Sequence, residues 1–327
     1  MEKEVLSQNE QNVAMPRSGA QEEGIKKHSL KKRMFRYYQV YIMLIPVAAW
    51  FIVFCYAPMY GIVLAFKDYS FRDGILGSEW IGLAHFKELF EQAMFTRAFW
   101  NTLRISVLRL IFTFPIPIIM AVQLNEMVNK HYKKSIQTII YLPYFISWLV
   151  LGGLIKQILG SYGPINNLMV SMGGDRIAFM TEGKYFIWIL LISEVWKGAG
   201  WGTIIYVAAM SGINPELYEA AEIDGCKRWG KIIRITLPSV APTITVMLLL
   251  SIAGIMNAGF DPIFNLYNTL IYDVSDIIDT YAYRIGISDG KFDMGTAIGL
   301  FKSVINFVLL LGANFVAKKV NGNSIYG

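Results

Sequence analysis

Glu194 and Lys197 stand three residues apart inside a long apolar run, among Trp188, Trp196, Trp201 and Tyr206. Three residues is nearly one helical turn, so the two charges share a face, at a depth of about 14 to 18 Å for a rise of 1.5 Å per residue. Charged side chains at such a depth face protein or a water-filled cavity. Aromatic rings beside polar groups suit sugars, whose C–H faces stack on rings while their hydroxyls form hydrogen bonds. Trp188, Glu194, Trp196, Lys197, Trp201 and Tyr206 therefore form a candidate substrate pathway, and Arg109, deep in another apolar run, joins it if the cargo is acidic, such as a uronate. A second reading stays open: an internal salt bridge that pins helix packing, with tryptophans in the core or at the interface. Gly198, Gly200 and Gly202 permit either a kink or close helix approach. Arg104, Lys156 and Lys302 lie toward the outer ends of their runs and can snorkel.

Residues 214–238, NPELYEAAEIDGCKRWGKIIRITLP, are polar and lie between two long apolar runs, so they must leave the bilayer. Asn214 suits a helix cap, Pro215 the first helical position, and Glu216 the positive end of the helix. Glu219, Ala220 and Ala221 continue the helix with good formers and small side chains. Asp224-Gly225 supplies a turn, with Asp224 placed to cap a second helix from about Lys227 to Ile235. Thr236-Leu237-Pro238 is expected to end that helix as the chain re-enters the membrane. The result is a short helix–turn–helix whose Leu217, Ala220 and Ala221 face fits a groove on a partner.

Other chemistries are poorly supplied. No Gly-x-x-x-x-Gly-Lys-Ser/Thr phosphate loop occurs: the Gly-Lys pairs at 183, 230 and 290 are followed by Tyr, Ile and Phe. His28, His85 and His131 lie outside the apolar runs and form no cluster, so no metal site or histidine proton relay is expected. Cys55 and Cys226 fall at different depths and are not expected to pair. No nucleophile–base pair is evident, so no catalytic residue is assigned.

The elements that position these residues are membrane helices. The chain is 54% hydrophobic and 17% charged, with a mean hydropathy of +0.42, which is membrane-class composition. Six runs, at about 40–66, 100–124, 138–159, 185–210, 239–260 and 296–317, are near or above the length of a span. Pro46, Pro58, Pro115 and Pro117 interrupt the first two, which bundled helices tolerate. Lys26, Lys27, Lys31, Lys32, Arg33 and Arg36 precede the first run. Lys130, Lys133 and Lys134 follow the second, Lys227, Arg228, Lys231 and Arg234 lie in the 211–239 loop, and Lys318-Lys319 follow the last. The opposite loops carry about half as many positive residues, so both termini and the 211–239 loop are expected in the cytoplasm. The net charge of +6 is thereby a topology signal and does not indicate nucleic-acid binding. The expected division is a disordered basic cytoplasmic tail (1–35), a first transmembrane helix with an extracellular loop (36–99), a core (100–317) holding the cytoplasmic loop, and a cytoplasmic tail (318–327). The first run starts too late and is too long for a cleaved signal peptide, and is expected to act as an anchor.

Glu219-Ala220-Ala221, Asp224-Gly225, Ile235 and Leu237-Pro238 resemble, in order and spacing, the EAA loop of permease subunits in binding-protein-dependent ABC importers. Cys226 stands where that family usually has a small residue and Trp229 where it often has phenylalanine. Phe260 to Ser303, with FNLYN, DIIDTYAYRIGI and TAIGLFKSV, resembles the sugar-importing branch, closest to bacterial permeases for oligosaccharides and polysaccharide fragments. The resemblance runs from about residue 35 onward. It implies an all-α integral membrane protein with six transmembrane helices in the type I ABC importer permease fold. The implied subunit is related to the larger maltose-importer permease, without that subunit's big extracellular insertion. It implies a heterodimer with a second permease, two ATPase subunits, an extracellular solute-binding protein and an oligosaccharide substrate, in the plasma membrane of a bacterium. This chain would bind no cofactor; ATP and Mg would be used by the partner ATPase. The coupling residues carried over are Glu219, Ala220, Ala221, Asp224, Gly225, Leu237 and Pro238, with Glu219 making a polar contact and Gly225 the turn. The alternatives are an ion-coupled secondary transporter, which would need no ATPase, and a membrane-embedded enzyme, for which the runs offer no His or Asp.

Overall fold

A computed structural model describes residues 37–321. The tail expected over 1–35, with its basic cluster, and the end of the chain after Asn321 lie outside the described residues. What is described is almost entirely helical, as it must be where no water reaches the backbone and each N–H has to bond within its own segment. Among the described residues four helices are long and apolar enough to cross a membrane: Tyr38–Phe66, Ala93–Asn125, Arg228–Ala253 and Phe292–Phe315. The pair Lys130–Phe145 and Trp148–Ser171 makes a fifth if it counts as one span. The expected sixth corresponds to the Gly183–Ser211 helix, which at 29 residues has the length, roughly 43 Å at 1.5 Å per residue. Glu194, Lys197 and the glycines 198, 200 and 202 dilute its apolar character.

Residues 38–59 belong to a unit of their own: an α-helix Tyr38–Phe51, a π turn Ile52–Tyr56 and Ala57–Met59, with no buried residue. The π turn comes just before Pro58. A proline lacks the N–H that would bond four residues back and its ring crowds that carbonyl, here Phe54, so widening the turn relieves both problems. The same device recurs at Ile232–Thr236, before Pro238. The expectation that Thr236-Leu237-Pro238 ends a helix is therefore corrected. Arg228–Lys231, the π turn and Leu237–Ala253 follow one another without a break, as a single span from Arg228 to Ala253.

In the second unit, from Tyr60 onward, the Gly183–Ser211 helix is the central column. It buries eleven residues, among them Leu190, Glu194, Gly200 and Tyr206. Around its first third, Ile105, Phe186, Leu190, Ile263, Leu266 and Ile277 close an apolar core. The expected span 138–159 is instead broken, its two helices bent by 92°. Pro143 sits in a 3₁₀ turn, Ile146 and Ser147 are extended, and the Ser147 hydroxyl accepts the Val150 N–H at 3.3 Å to start a new helix. Of glycines 198, 200 and 202 on the central helix, Gly198 faces open space, while Gly202 abuts Pro117 and a methyl on Gly200 would overlap the Ile140 carbonyl.

The expected span 239–260 stops at Ala253. The segment beyond it folds back as short helices whose Ile263, Leu266, Ile271, Ile277 and Ile278 are fully buried. Two of its aspartates are used internally. Asp276 accepts from Thr280 at 2.7 Å and pairs with Arg284, and Asp279 pairs with Lys302. Asn101 donates to the carbonyls of Asp273 and Asp276 at 3.0 and 3.1 Å. A two-residue hairpin, Lys67–Asp68 against Glu79–Trp80, is the only sheet among the described residues.

Gly200→Ala is expected to lower stability by about 1–3 kcal/mol through this backbone overlap, read as a lower thermal midpoint of the detergent-purified protein. Gly198→Ala, with nothing within 4 Å of the added carbon, should leave the midpoint unchanged or raise it.

Candidate functional site

Arg109 is the hub of a polar cluster inside the helices. Its Nε donates to Glu194 Oε2 at 2.7 Å, and its Nη1 donates to the Asn257 carbonyl at 3.1 Å. That carbonyl is free because the helix ends at Ala253 and the chain unwinds through Asn257 to Gly259, whose φ of +90° is one that L side chains rarely adopt. Gly259 also leaves room for the guanidinium, since a β-carbon there would stand 3.0 Å from Arg109 Nη1. Glu194 is 7% exposed and Arg109 29%. The second carboxylate oxygen, Oε1, is buried with no hydrogen-bond partner among the described residues, as is the hydroxyl of Ser106, one turn before Arg109.

Two cavities of about 300 Å³ meet at Arg109. One is lined by Thr113, Pro117, Tyr144, Trp148, Glu194 and Lys197 as well as Arg109, the other by Ser106, Thr113, Leu250, Ser251 and Asn257. In the first, Lys197 donates to the Tyr144 carbonyl and lies 5.0 Å from the centre of the Tyr144 ring and 5.7 Å from that of Trp148. Trp201 stacks on Tyr144 at 4.5 Å with the planes 4° apart. Cations, a carboxylate, a hydroxyl and flat aromatic faces converge here, which is the mixture that binds a polar solute with apolar C–H faces.

Glu194 and Lys197 share a face, as their spacing predicts, but the salt bridge runs between helices, from Arg109 to Glu194. Trp201, seven residues after Glu194, lies close to the same face and meets the cavity through Tyr144. Trp188, Trp196 and Tyr206 are elsewhere. Trp196 follows Glu194 by two residues, a spacing that puts side chains on opposite faces. It lines a mainly apolar groove of about 580 Å³ with Trp188, Leu154, Ile158 and Ile192. Tyr206 is 3% exposed, in a cluster with Ala121, Met210 and Val240. Tyr144, Trp148, Thr113 and Asn257 were not legible as site residues. The first two flank the break at Ile146-Ser147, and Pro143 just before it is the signal that the run is not one straight helix.

The 214–238 segment forms the expected exposed hairpin. Asn214 Oδ1 accepts the Glu216 N–H at 3.1 Å, and the first helix covers Glu216–Ile223. It closes with Cys226 N–H on the Ala221 carbonyl at 2.8 Å and Gly225 N–H on the Glu222 carbonyl at 3.0 Å. This is a Schellman end, and it requires the φ of +71° at Gly225. Asp224 does not cap the second helix, whose N-cap is Lys227 without a side-chain bond; it is the C-cap of the first. Tyr218 bonds Thr236 at 2.9 Å across the hairpin. Arg228 pairs with Glu126 at 2.8 Å, and Lys231 pairs with Glu222 at 2.6 Å. The Lys231 hydrogen bond holds the Glu222 carboxyl below its ordinary pKa. The pairing is therefore present above the ordinary carboxylate range and lost as pH falls through the lowered value; at this exposure solvent screens it. Leu217, Ala220, Ile223 and Trp229 are exposed, Ile223 to 88% and Trp229 to 74%.

Residues 113–322, a stretch holding the hairpin and all but Arg109 of the charged cluster, match the family described as binding-protein-dependent transport system inner membrane component. The chain belongs to this family. The permease is similar to the protein LplB of Bacillus subtilis, 41% identical over 88% of this chain and 91% of that one. It is also similar to the polygalacturonan/rhamnogalacturonan transport system permease protein YteP of the same bacterium, at 40% identity over 92% and 95%. Among solved structures it is similar to a bacterial ABC transporter involved in the import of the acidic polysaccharide alginate, with 42% identity, a TM-score of 0.82 and 89% and 99% coverage. A bacterial alginate ABC transporter in complex with an alginate pentasaccharide-bound periplasmic protein gives 40% identity and a TM-score of 0.83 over 91% and 100%. The all-α permease fold expected from the sequence is thus shown.

Removing one member of a buried ion pair strands the other charge, at a cost of about 3–5 kcal/mol. Arg109→Met is expected to reduce the yield of monodisperse protein sharply, and Arg109→Met with Glu194→Leu to restore much of it. Additive losses in this cycle, measured by size-exclusion after heating, would show that the pair is not a structural unit.

Proposed function

We propose that this permease forms half of the translocation pathway of an ATP-driven oligosaccharide importer. Its partners on this reading are a second, non-identical permease, two ATPase subunits that use ATP and Mg, and an extracellular solute-binding protein. The observation that carries it is the hairpin: a capped helix with Leu217, Ala220 and Ile223 exposed, joined by the Gly225 turn to a span that runs unbroken to Ala253. Sugar as cargo rests on the relatives and solved structures above and on the aromatic and charged cavity at Arg109.

The mechanism follows from connectivity. A groove on the ATPase takes the Glu216–Ile223 helix, with Glu219 as the polar contact and Ala220 and Ala221 allowing close approach. Ile223 and Trp229 add apolar area at its end. Closure of the ATPase dimer displaces the hairpin, and the second arm, being continuous with the span, transmits that movement to the helices around Arg109. ATP binding then favours one of two permease states because its contacts with them differ. Six spans are assigned, counting the bent pair once and including Gly183–Ser211. Both termini face the cytoplasm of a bacterial cell, with Lys130, Lys133, Lys134 and the hairpin's basic residues on the same side.

Gly225→Val forces a β-branched residue into positive φ, at a cost of order 1–3 kcal/mol confined to the turn. Expected is membrane insertion at wild-type levels with ATP-dependent oligosaccharide uptake by the reconstituted transporter abolished. Full uptake by the variant would remove the turn from the coupling path, and uptake by the wild type without ATP would favour an ion-coupled carrier.

A further inference from the structure

Lys197 is a cation without a carboxylate. Of the other basic residues within the apolar runs, Arg109 pairs with Glu194 and Lys302 with Asp279, and Arg104 and Lys156 are exposed. Lys197 is half-buried and forms no ion pair among the described residues; its contacts are the Tyr144 carbonyl and the faces of Tyr144 and Trp148. Pinning a carbonyl does not call for a charge, since a neutral amide donor would do so without the desolvation that a charge pays within a membrane helix. The cavity that Lys197 lines holds two cations, Arg109 and Lys197, against one carboxylate, Glu194, and so has an excess positive charge. Its aromatic wall, Tyr144 and Trp148 with Trp201 stacked behind Tyr144, presents flat faces for a sugar ring.

We propose that Lys197 reads a carboxylate on the cargo, so that the permease itself selects acidic oligosaccharides of the uronate class over neutral ones of the same shape. The proposal rests on the oligosaccharide reading above and adds the charge class and the residue that sets it. A uronate ring laid against Tyr144 and Trp148 brings its carboxylate to the ammonium. Arg109, held by Glu194 and the Asn257 carbonyl, contributes positive potential without having to leave its partner. Charge-assisted hydrogen bonds in a partly dehydrated site are strong enough to separate an acid from its neutral analogue by tenfold or more.

The test uses the assembled transporter in nanodiscs without its solute-binding protein, so that only the membrane site discriminates. Tryptophan fluorescence is titrated with a trigalacturonate and with its fully methyl-esterified, uncharged form. Expected is binding of the acid at least about tenfold tighter than the ester. Lys197→Gln, which keeps an N–H for the Tyr144 carbonyl but loses the charge, should remove that difference, and Lys197→Arg should keep it. Equal binding of acid and ester by the wild type overturns the proposal without need of any variant. An acid preference undiminished in Lys197→Gln also overturns it. If neither sugar binds and the reconstituted wild type with its binding protein takes up no oligosaccharide with ATP, the sugar reading itself fails, and this proposal with it.

Discussion

The contact on which the interior depends is the Arg109–Glu194 pair. It joins the second span to the central helix, and through the Asn257 carbonyl it also holds the point where the Arg228–Ala253 span gives way to irregular backbone. A charge inside a bundle is tolerated only when its partner and geometry are fixed. That requirement ties together three segments that are distant in sequence. It also explains why cavities persist beside Arg109: a guanidinium bonded on two sides is bulky and cannot be packed over by aliphatic groups. The polar lining of these cavities follows from the same contact that fastens the helices.

Elsewhere in the chain the fold resolves conflicts between proline and continuity. Pro58 and Pro238 each follow a π turn, and Pro115 opens a helix immediately after Phe114. At Pro143 the helix is not rescued, and the chain turns by 92°. The difference matters mechanically. An unbroken path through Pro238 joins the second arm of the hairpin rigidly to the Arg228–Ala253 helix, whereas the break after Pro143 lets Tyr144 and Trp148 reach the face of the central helix that bears Lys197 and Trp201. Before the bend, the Ile140 carbonyl lies too close to Gly200 for any side chain there.

The hairpin was legible almost residue by residue because its signals are local. Asn214 caps by bonding two residues ahead, and Gly225 ends the helix because only glycine takes its φ without strain. Asp224 was misassigned as a cap for the helix that follows. The Schellman end uses that residue to close the helix before it. The segment after Ala253 was less legible. Asp276 is buried against Thr280 and Arg284, since a polar group with a local partner can be buried and composition does not reveal the partner.

Sequence alone determined the helical class, the hairpin with its turn, and the face shared by Glu194 and Lys197. These follow from hydropathy, caps and the 3.6-residue period, all of which act over a few neighbouring positions. Tertiary structure decided which carboxylate pairs with which cation, that Tyr144 and Trp148 join the cavity, and that Trp196 and Tyr206 do not. Helical spacing fixes a side chain's direction relative to its own axis, but what stands opposite depends on how the helices bend and pack. Here that depended on a 92° turn and on a carbonyl freed at Asn257, neither of which is written in the period of any single segment.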